Sequence, residues 1–375
     1  MRKPVLFRVT NNLGIGGVQR RLRSLLPLLT SDFEVHIVTY KDRGIFFDEL
    51  SALGVHTHFL PRKGHWNPID IGKLARLFRL HGAQIVHTHS FGGNISGILA
   101  ASLARVPVRV AQVHLCDQHW YGATIARRTK QILEETLLHR LLTDRILFVS
   151  HESRDYFQRH TRLPDDRLTV LHNGLDLPDA TPPASRAELG LPDGPRLIGF
   201  VGRVTSGKGL DLFLEIARQA ARQSPHAYHF LVVGTGGDLP RHQQWAREHA
   251  LDDHVTFLGE RRDIHRCYAA LDCLLFCSEH GVEGMPGVML EACAHGLPIL
   301  ARRATPVEEI RAYYDRILFW NPERPATAQL DAAMALPEAD QTRLRAEFSI
   351  AAMRDRTMAL YRELLTAKRS RTCAC

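Results

Sequence analysis

The chain has 375 residues, 45% hydrophobic and 23% charged, with a formal net charge of +8. That length and apolar content can bury two ordinary cores, so two domains are expected. No apolar run reaches the ~18 residues of a membrane span, and the first four residues lead into the strand-like Val5–Thr10 rather than a secretory segment. A spanning or secreted protein is therefore excluded as an expectation, and a cytoplasmic one is expected.

The charge is uneven. Residues 1–180 hold 24 Lys+Arg against 16 Asp+Glu, and the remainder holds 24 against 24, so the whole excess lies in the first half, which should prefer anionic partners. Arg20, Arg21 and Arg23 follow the first glycine loop, and Arg127, Arg128 and Lys130 open a helical stretch beginning near Trp120-Tyr121. Basic helices of this kind can lie on an anionic membrane surface, or simply be solvated faces. Nucleic acid is not an expected partner, because zinc-finger spacing, an RNA-binding aromatic signature and a dense basic block are all missing. The seven cysteines are odd in number, and Cys267, Cys273, Cys277 and Cys293 sit in apolar segments, as reduced core thiols do. Cys373-Ala374-Cys375 reads as a frayed tail.

In chain order, strand-like runs at Val5–Thr10, Glu34–Tyr40, Val55–Leu60, Ile85–Ser90, Arg109–His114, Arg145–Ser150 and Leu168–His172 alternate with helical stretches. This is the pattern of a parallel sheet wrapped by helices. After the first strand, Gly14-Ile15-Gly16-Gly17 precedes a helix expected near Val18, a corner suited to an anion. A dinucleotide fingerprint would require glycine where Gln19 stands and an acidic residue where Tyr40-Lys41 end the second strand, so dinucleotide binding is disfavoured. A purely structural turn stays open. His114 ends a strand, with Asp117 and His119 close behind it. His87, His89, His114, His119 and His172 lack the i, i+4 partner with Glu that a zinc helix needs, so core or cleft histidines are expected and no metal.

Pro178-Asp179-Ala180-Thr181-Pro182-Pro183 breaks the rhythm and is read as the domain boundary, giving domains 1–178 and 179–348. Alternation resumes at Arg196–Gly202, Tyr228–Gly234, Val255–Gly259, Asp272–Ser278, Pro298–Arg302 and Arg316–Trp320, and turns helical afterwards. The last segment, 349–375, is expected to be a helix packing back toward the N-terminal domain. The fold class expected is α/β, with two doubly wound Rossmann-like domains facing a central cleft beyond the carboxyl ends of their strands.

Two stretches of the second half carry chemistry. Gly202-Arg203-Val204-Thr205-Ser206-Gly207-Lys208-Gly209 has the frame of a phosphate-binding P-loop, but Gly209 stands where Ser or Thr would hold magnesium. Arg203 and Lys208 can instead close as two cations on a diphosphate. Between Ser278 and Gly296, Glu283 and Glu291 stand eight positions apart around a glycine-rich turn that ends a strand and opens a helix near Val288. Free N–H groups at that helix start favour an anion, Gly284 and Gly287 allow close approach, and Glu291, two turns on, can accept hydrogen bonds from a sugar diol. A loop with two solvated glutamates is the alternative.

Taken together, G-I-G-G-V-Q-R at 14–20, H-T-H-S at 87–90, the strand ending in His114, L-H-N-G-L-D at 171–176, G-R-V-T-S-G-K-G at 202–209, V-G-T-G-G at 233–237 and E-G-M-P-G-V-M-L-E-A at 283–292 resemble the retaining nucleotide-sugar glycosyltransferases of family four, which have the GT-B fold. The resemblance covers nearly the whole chain. It implies that Arg203 and Lys208 stabilise the leaving diphosphate, that Glu283 borders the donor sugar, and that Glu291 holds the ribose hydroxyls. It further implies donor contacts from Gly284, Met285, Pro286, Gly287 and Val288, phosphate contacts from Gly16 and Gly17, and a contact of His114 with sugar or acceptor. No bound metal and no cofactor are implied, since cations and the helix start take the charge role of magnesium. Retention at the anomeric carbon, with the departing phosphate taking the acceptor proton, is also implied. The residues themselves argue only for a stabilised negative leaving group. Where the family often has a Gly-Gly pair before Glu309, this chain has Thr305-Pro306.

The reading is thus a transferase moving sugar from a nucleotide diphosphate donor to a saccharide or lipid-linked acceptor at the inner face of a membrane. Rivals are a nucleotide-sugar epimerase of the same fold, a P-loop-like regulatory nucleotide binder, and a silent sugar-nucleotide binding module.

Overall fold

The computed structural model describes residues 3–115, 124–176 and 181–373. Asp117, His119, Trp120, Tyr121, the boundary residues Pro178, Asp179 and Ala180, and the tail residues Ala374 and Cys375 lie outside them. The chain divides into two compact units, one of residues 1–176 with 348–375, the other of residues 177–347.

The first unit alternates β1 (Val5–Thr10), α1 (Gly17–Leu29), β2 (Glu34–Thr39), α2 (Phe47–Ala52), β3 (His56–Phe59), α3 (Pro68–His81), β4 (Ile85–His89), α4 (Phe91–Leu103), β5 (Val108–Val113), α5 (Ile125–Leu142), β6 (Arg145–Phe148), α6 (His151–Thr161) and β7 (Leu168–Val170). Its seven strands are parallel in the order β3-β2-β1-β4-β5-β6-β7. All six residues of β1 are buried, as befits a central parallel strand covered by helices on both faces. α3 shows how local chemistry sets an element's ends. Asn67 Oδ1 accepts from the N–H groups of Ile69 and Asp70 at 3.0 and 3.2 Å, Pro68 opens the helix, and Gly82 at φ 65° closes it.

The second unit comprises β8 (Arg196–Val201), α7 (Leu210–Gln223), β9 (Tyr228–Val233), α8 (Leu239–Glu248), β10 (Val255–Gly259), α9 (Ile264–Ala270), β11 (Cys273–Phe276), α10 (Gly287–Ala294), β12 (Ile299–Ala301), α11 (Thr305–Arg311), β13 (Ile317–Phe319), α12 (Ala326–Met334) and α13 (Thr342–Phe348). Its six parallel strands run β10-β9-β8-β11-β12-β13, so the order reverses between β8 and β11. α7 places Leu210, Phe213, Leu214, Ala217 and Ala220 at helical spacing on its buried face, next to Phe230 and Val232 of β9 in one core. Cys267, Cys273, Cys277 and Cys293 are buried free thiols, and burial pushes Cys273 up to about 12.

A final helix, α14 (Ile350–Cys373), belongs to the first unit. Arg362 Nη2 meets Asp32 Oδ1 at 2.8 Å, Glu363 Oε1 meets Arg145 Nη2 at 2.8 Å, and Lys368 Nζ meets Asp144 Oδ1 at 2.5 Å. Tyr361 inserts fully into the core beside Phe33. Among the described residues, no helix is long and apolar enough to cross a membrane.

Candidate active site

The second unit presents a recess beyond the carboxyl ends of β8 and β11, lined by Gly202, Lys208, Ser278, Glu283 and Val288 over an apolar floor including Phe200 and Leu275. This is the switch point of the sheet, where the flanking connections diverge and leave a crevice. Backbone contacts hold its walls together. Glu279 N–H donates to Gly207 O at 2.8 Å, and Gly209 caps α7 at φ 78° against the end of β11, so close that a Cβ would fall 2.0 Å from Cys277 O. This excludes the Ser or Thr that a P-loop requires at position 209. The loop after β9 locks on similarly: Val204 N–H donates to Thr235 O at 2.9 Å, and a Cβ on Gly234, at φ 141°, would lie 1.8 Å from Gly202 O.

Bringing the two loops together joins Lys208 Nζ to Glu283 Oε1 in an ion pair, with both side chains largely shielded. Ser278 Oγ donates to the same carboxylate oxygen at 3.3 Å. Gly284, Met285 and Pro286 are buried and carry the chain into α10, which starts at Gly287, one residue before the start expected. A Cβ at Gly287 would meet no heavy atom within 4 Å, so glycine there leaves the helix start open. Gly287 and Val288 open the helix with their N–H groups outside its ladder, a positive dipole end beside Lys208. Arg203 is exposed on the same loop as Lys208. Glu291 lies further along α10, and its Oε2 accepts from the hydroxyl of fully buried Tyr268 at 2.8 Å. Tyr268 and Ser278 are functional candidates that sequence reasoning missed: Tyr268 sits 23 positions from Glu291 on α9, and only the packing of α9 on α10 joins them.

Gly16 and Gly17 lie in the first unit, where Gly16 caps α1 and Gly17 begins it, again one residue earlier than expected. Asn12 Oδ1 braces this corner, accepting from Gly14 N–H and Gln19 Nε2, both at 3.2 Å. Around the first sheet's own switch point, between β1 and β4, His114 Nε2 meets His89 Nδ1 at 2.9 Å, His89 Nε2 meets Arg8 Nη1 at 3.0 Å, and His87 Nδ1 meets the Tyr361 hydroxyl at 2.7 Å. Burial, reinforced by the positive charges of Arg21 and Arg8, pushes the His114 imidazole down to about 3. His87 and His89 are driven well below the usual range, chiefly by burial, with Arg8 adding to both. All three are neutral at neutral pH, and Arg8 is a buried cation whose Nε and Nη2 have no hydrogen-bond partner among the described residues.

The basic stretches of the first unit are more committed than their sequence suggests. Arg23 pairs with Glu49 at 2.6 Å, Arg128 donates to the Tyr156 hydroxyl at 2.6 Å, and Lys130 lies 3.7 Å from Glu134. Arg128 and Lys130 stand on α5, which starts at Ile125 behind a Thr124 cap, while the expected start near Trp120-Tyr121 lies outside the described residues. Arg20 and Arg127 are exposed.

Two family profiles match nearly the whole chain: Glycosyltransferase Family 4 over residues 15–178, and Glycosyl transferases group 1 over residues 183–352. Among its relatives, the UDP-Gal:alpha-D-GlcNAc-diphosphoundecaprenol alpha-1,3-galactosyltransferase of Escherichia coli is 27% identical over 303 residues, 76% of each chain. The capsular polysaccharide biosynthesis glycosyltransferase CapH of Staphylococcus aureus is 21% identical over 313 residues, 82% of this chain and 84% of its own. The crystal structure of Anabaena Alr3699/HepE in complex with UDP and glucose matches with a TM-score of 0.79 over 96% of this chain and 100% of that one, at 16% identity, a likeness of fold. With a Family 4 domain in its first half and a group 1 domain in its second, the chain belongs to the glycosyltransferases of GT-B fold.

Proposed function

We propose that this glycosyltransferase transfers a sugar, with retention at the anomeric carbon and without a metal at the donor site, from a nucleotide diphosphate donor to a saccharide or lipid-linked acceptor in cell-surface polysaccharide, lipopolysaccharide or glycolipid synthesis. The observation that carries this reading is the Lys208–Glu283 pair at the mouth of the β8/β11 recess, beside the start of α10. Glycosyl transfer separates charge: the leaving diphosphate gains negative charge as the anomeric carbon gains oxocarbenium character. A cation and a carboxylate held within one recess match both poles. Lys208, Arg203 and the N–H groups of Gly287 and Val288 stabilise the leaving group, while Glu283 faces the anomeric centre. Gly284, Met285 and Pro286 shape the wall of the donor site, and Glu291, oriented by Tyr268, accepts from the ribose hydroxyls. The departing phosphate oxygen takes the acceptor proton.

A thermal-shift screen of nucleotides and nucleotide sugars tests the donor, since a ligand at ~100 times its Kd stabilises by about 2.7 kcal/mol. Donors that shift the protein should then support transfer in excess EDTA. Binding of magnesium ATP alone, or transfer lost in EDTA and restored by magnesium, would sink the proposal.

The acceptor side rests on charge and surface. The first half carries the whole positive excess, and α5 exposes Leu133, Leu137 and Leu141 four residues apart, with Ile125 two turns earlier on that face. Ile125 and Leu141 are 87% and 72% exposed, beside exposed Arg127 and Lys130. Such a stripe suits the inner face of an anionic membrane, with each basic residue near the surface adding about 1 kcal/mol. The Escherichia coli relative acts on a diphosphoundecaprenol-linked sugar, an acceptor of this class. Replacing Arg127, Arg128 and Lys130 by Gln should reduce sedimentation with anionic vesicles and leave nucleotide binding intact. Wild-type protein that ignores such vesicles at low salt would point to a soluble acceptor.

A further inference from the structure

The edge of the first sheet gathers donor groups that the transferase reaction does not use. β2 supplies Glu34 and His36, and β3 pairs with it in parallel register, His36 opposite His56 and Val38 opposite His58. Side chains two apart on a strand share a face, so these four residues project together. His81, in the last turn of α3, comes down onto the same group, its ring centroid 4.7 Å from that of His36 and 5.5 Å from that of His58. Phe7 of β1 stacks on His36 at 4.4 Å and walls off the inner side.

We propose that His36, His58 and His81 form a zinc site that ties β2, the edge strand β3 and the end of α3 together. One donor atom from each of the three lies within 4.8 Å of the other two. Glu34 sets the orientation. Its Oε1 lies 3.1 Å from His36 Nε2, which fixes the proton on that nitrogen and leaves Nδ1 as the lone pair, directed at His58 Nε2 at 2.9 Å. A carboxylate on the far nitrogen of a ligating imidazole is the usual support of a zinc histidine. The His81 side chain makes no hydrogen bond to a described residue, so among them no other polar group competes for its ring nitrogens. With bonds of about 2.0–2.1 Å, a tetrahedral ion holds its nitrogens roughly 3.3–3.4 Å apart, so the His36–His58 contact must open by about half an ångström. Rotation of the half-buried His58 and His81 side chains can supply that, and water takes the fourth position. Three imidazoles select zinc or a neighbouring late transition metal over magnesium or calcium, which prefer oxygen.

Glu34, His36 and His56 form a second trio within the same distance limit, sharing His36. The commitment of Glu34 to His36 Nε2 favours the all-histidine set, and the experiment separates the two. Untagged full-length protein, stripped with chelator and dialysed, is titrated with zinc chloride by calorimetry and with cobalt chloride by visible absorption. One site per chain with the intense bands of tetrahedral cobalt is expected. His58→Gln and His81→Gln, both at half-buried positions, should each abolish that site, and Glu34→Gln should weaken it by roughly 10–100-fold. His56→Gln should leave it unchanged. Absence of a one-to-one site in the wild type, or a site that survives both His58→Gln and His81→Gln, overturns the proposal. Loss with His56→Gln but not with His81→Gln would assign the metal to the other trio and equally refute this one. Circular dichroism of each variant confirms that the fold is retained.

Discussion

The two sheets share a strand order around their switch points, yet the charges there are opposite in design. In the second unit Lys208 is answered by Glu283, so the β8/β11 recess holds one cation and one carboxylate in contact. In the first unit the buried guanidinium of Arg8 meets, among the described residues, neutral partners: the imidazole of His89 and the ring face of Tyr361 at 5.8 Å. The same topology thus frames a site suited to charge separation in one unit, and in the other a positive field with no described carboxylate bonded to Arg8. The fold places a crevice, and the side chains decide its chemistry.

The sharpest way to break this comparison is to remove the cation proposed to act on the leaving group. Lys208→Ala should lower turnover by roughly 10²–10³-fold while the protein stays folded, as loss of a charge-stabilising donor does. Near-normal turnover would leave the second recess without its proposed role. A stability comparison comes next. Arg8→Met replaces a buried cation lacking a carboxylate by an apolar chain of similar length, and the melting temperature should hold or rise, with a gain of up to about 1–4 kcal/mol. Glu283→Ala should lower it, because Lys208 then loses its counter-charge. Opposite signs support the contrast; a large loss for Arg8→Met would mean that Arg8 is matched by an anion.

Acid titration probes the same contrast more gently. His114 has a folded pKa of about 3, below the 6.5 of an unperturbed histidine, because burial disfavours its charged form. Between these values the unfolded chain binds the proton and the folded one does not. The stabilisation is therefore complete above pH 6.5 and is lost as pH falls toward 3, with a limiting slope of about 1.4 kcal/mol per pH unit. Denaturant melts of His114→Gln against wild type should show a shallower decline over that window, and parallel curves would contradict the buried neutral state. The smallest effect is expected at Tyr268→Phe, which deletes one hydrogen bond to Glu291. Donor KM should rise by up to about tenfold with kcat little changed, in line with a contact worth roughly 1.4 kcal/mol. An unchanged KM would detach Glu291 from the ribose.

Periodicity alone was enough for the double set of parallel strands, because a strand buried on both faces is apolar along most of its length, as Val5–Thr10 is but for Arg8 and Thr10, and Tyr228–Val233 but for His229. The glycine corners were legible for a related reason: Gly209 and Gly234 occupy backbone conformations and contacts that exclude a side chain, so the sequence has to declare them. Glu283 and Glu291 could be named from spacing, as could Lys208. Their partners could not. The bond from Tyr268 to Glu291, the pairing of Lys208 with Glu283, and the convergence of His36, His58 and His81 join residues that no local pattern links. Each depends on which strands lie side by side and on how far a helix reaches before it ends. Likewise, the net charge of the first half was countable, but only packing showed that Arg23 is spent on Glu49 and that Arg8 is buried. Chain order determines local conformation through short-range sterics and burial, whereas pairing between distant side chains is decided by sheet register and helix docking, which only the tertiary structure supplies.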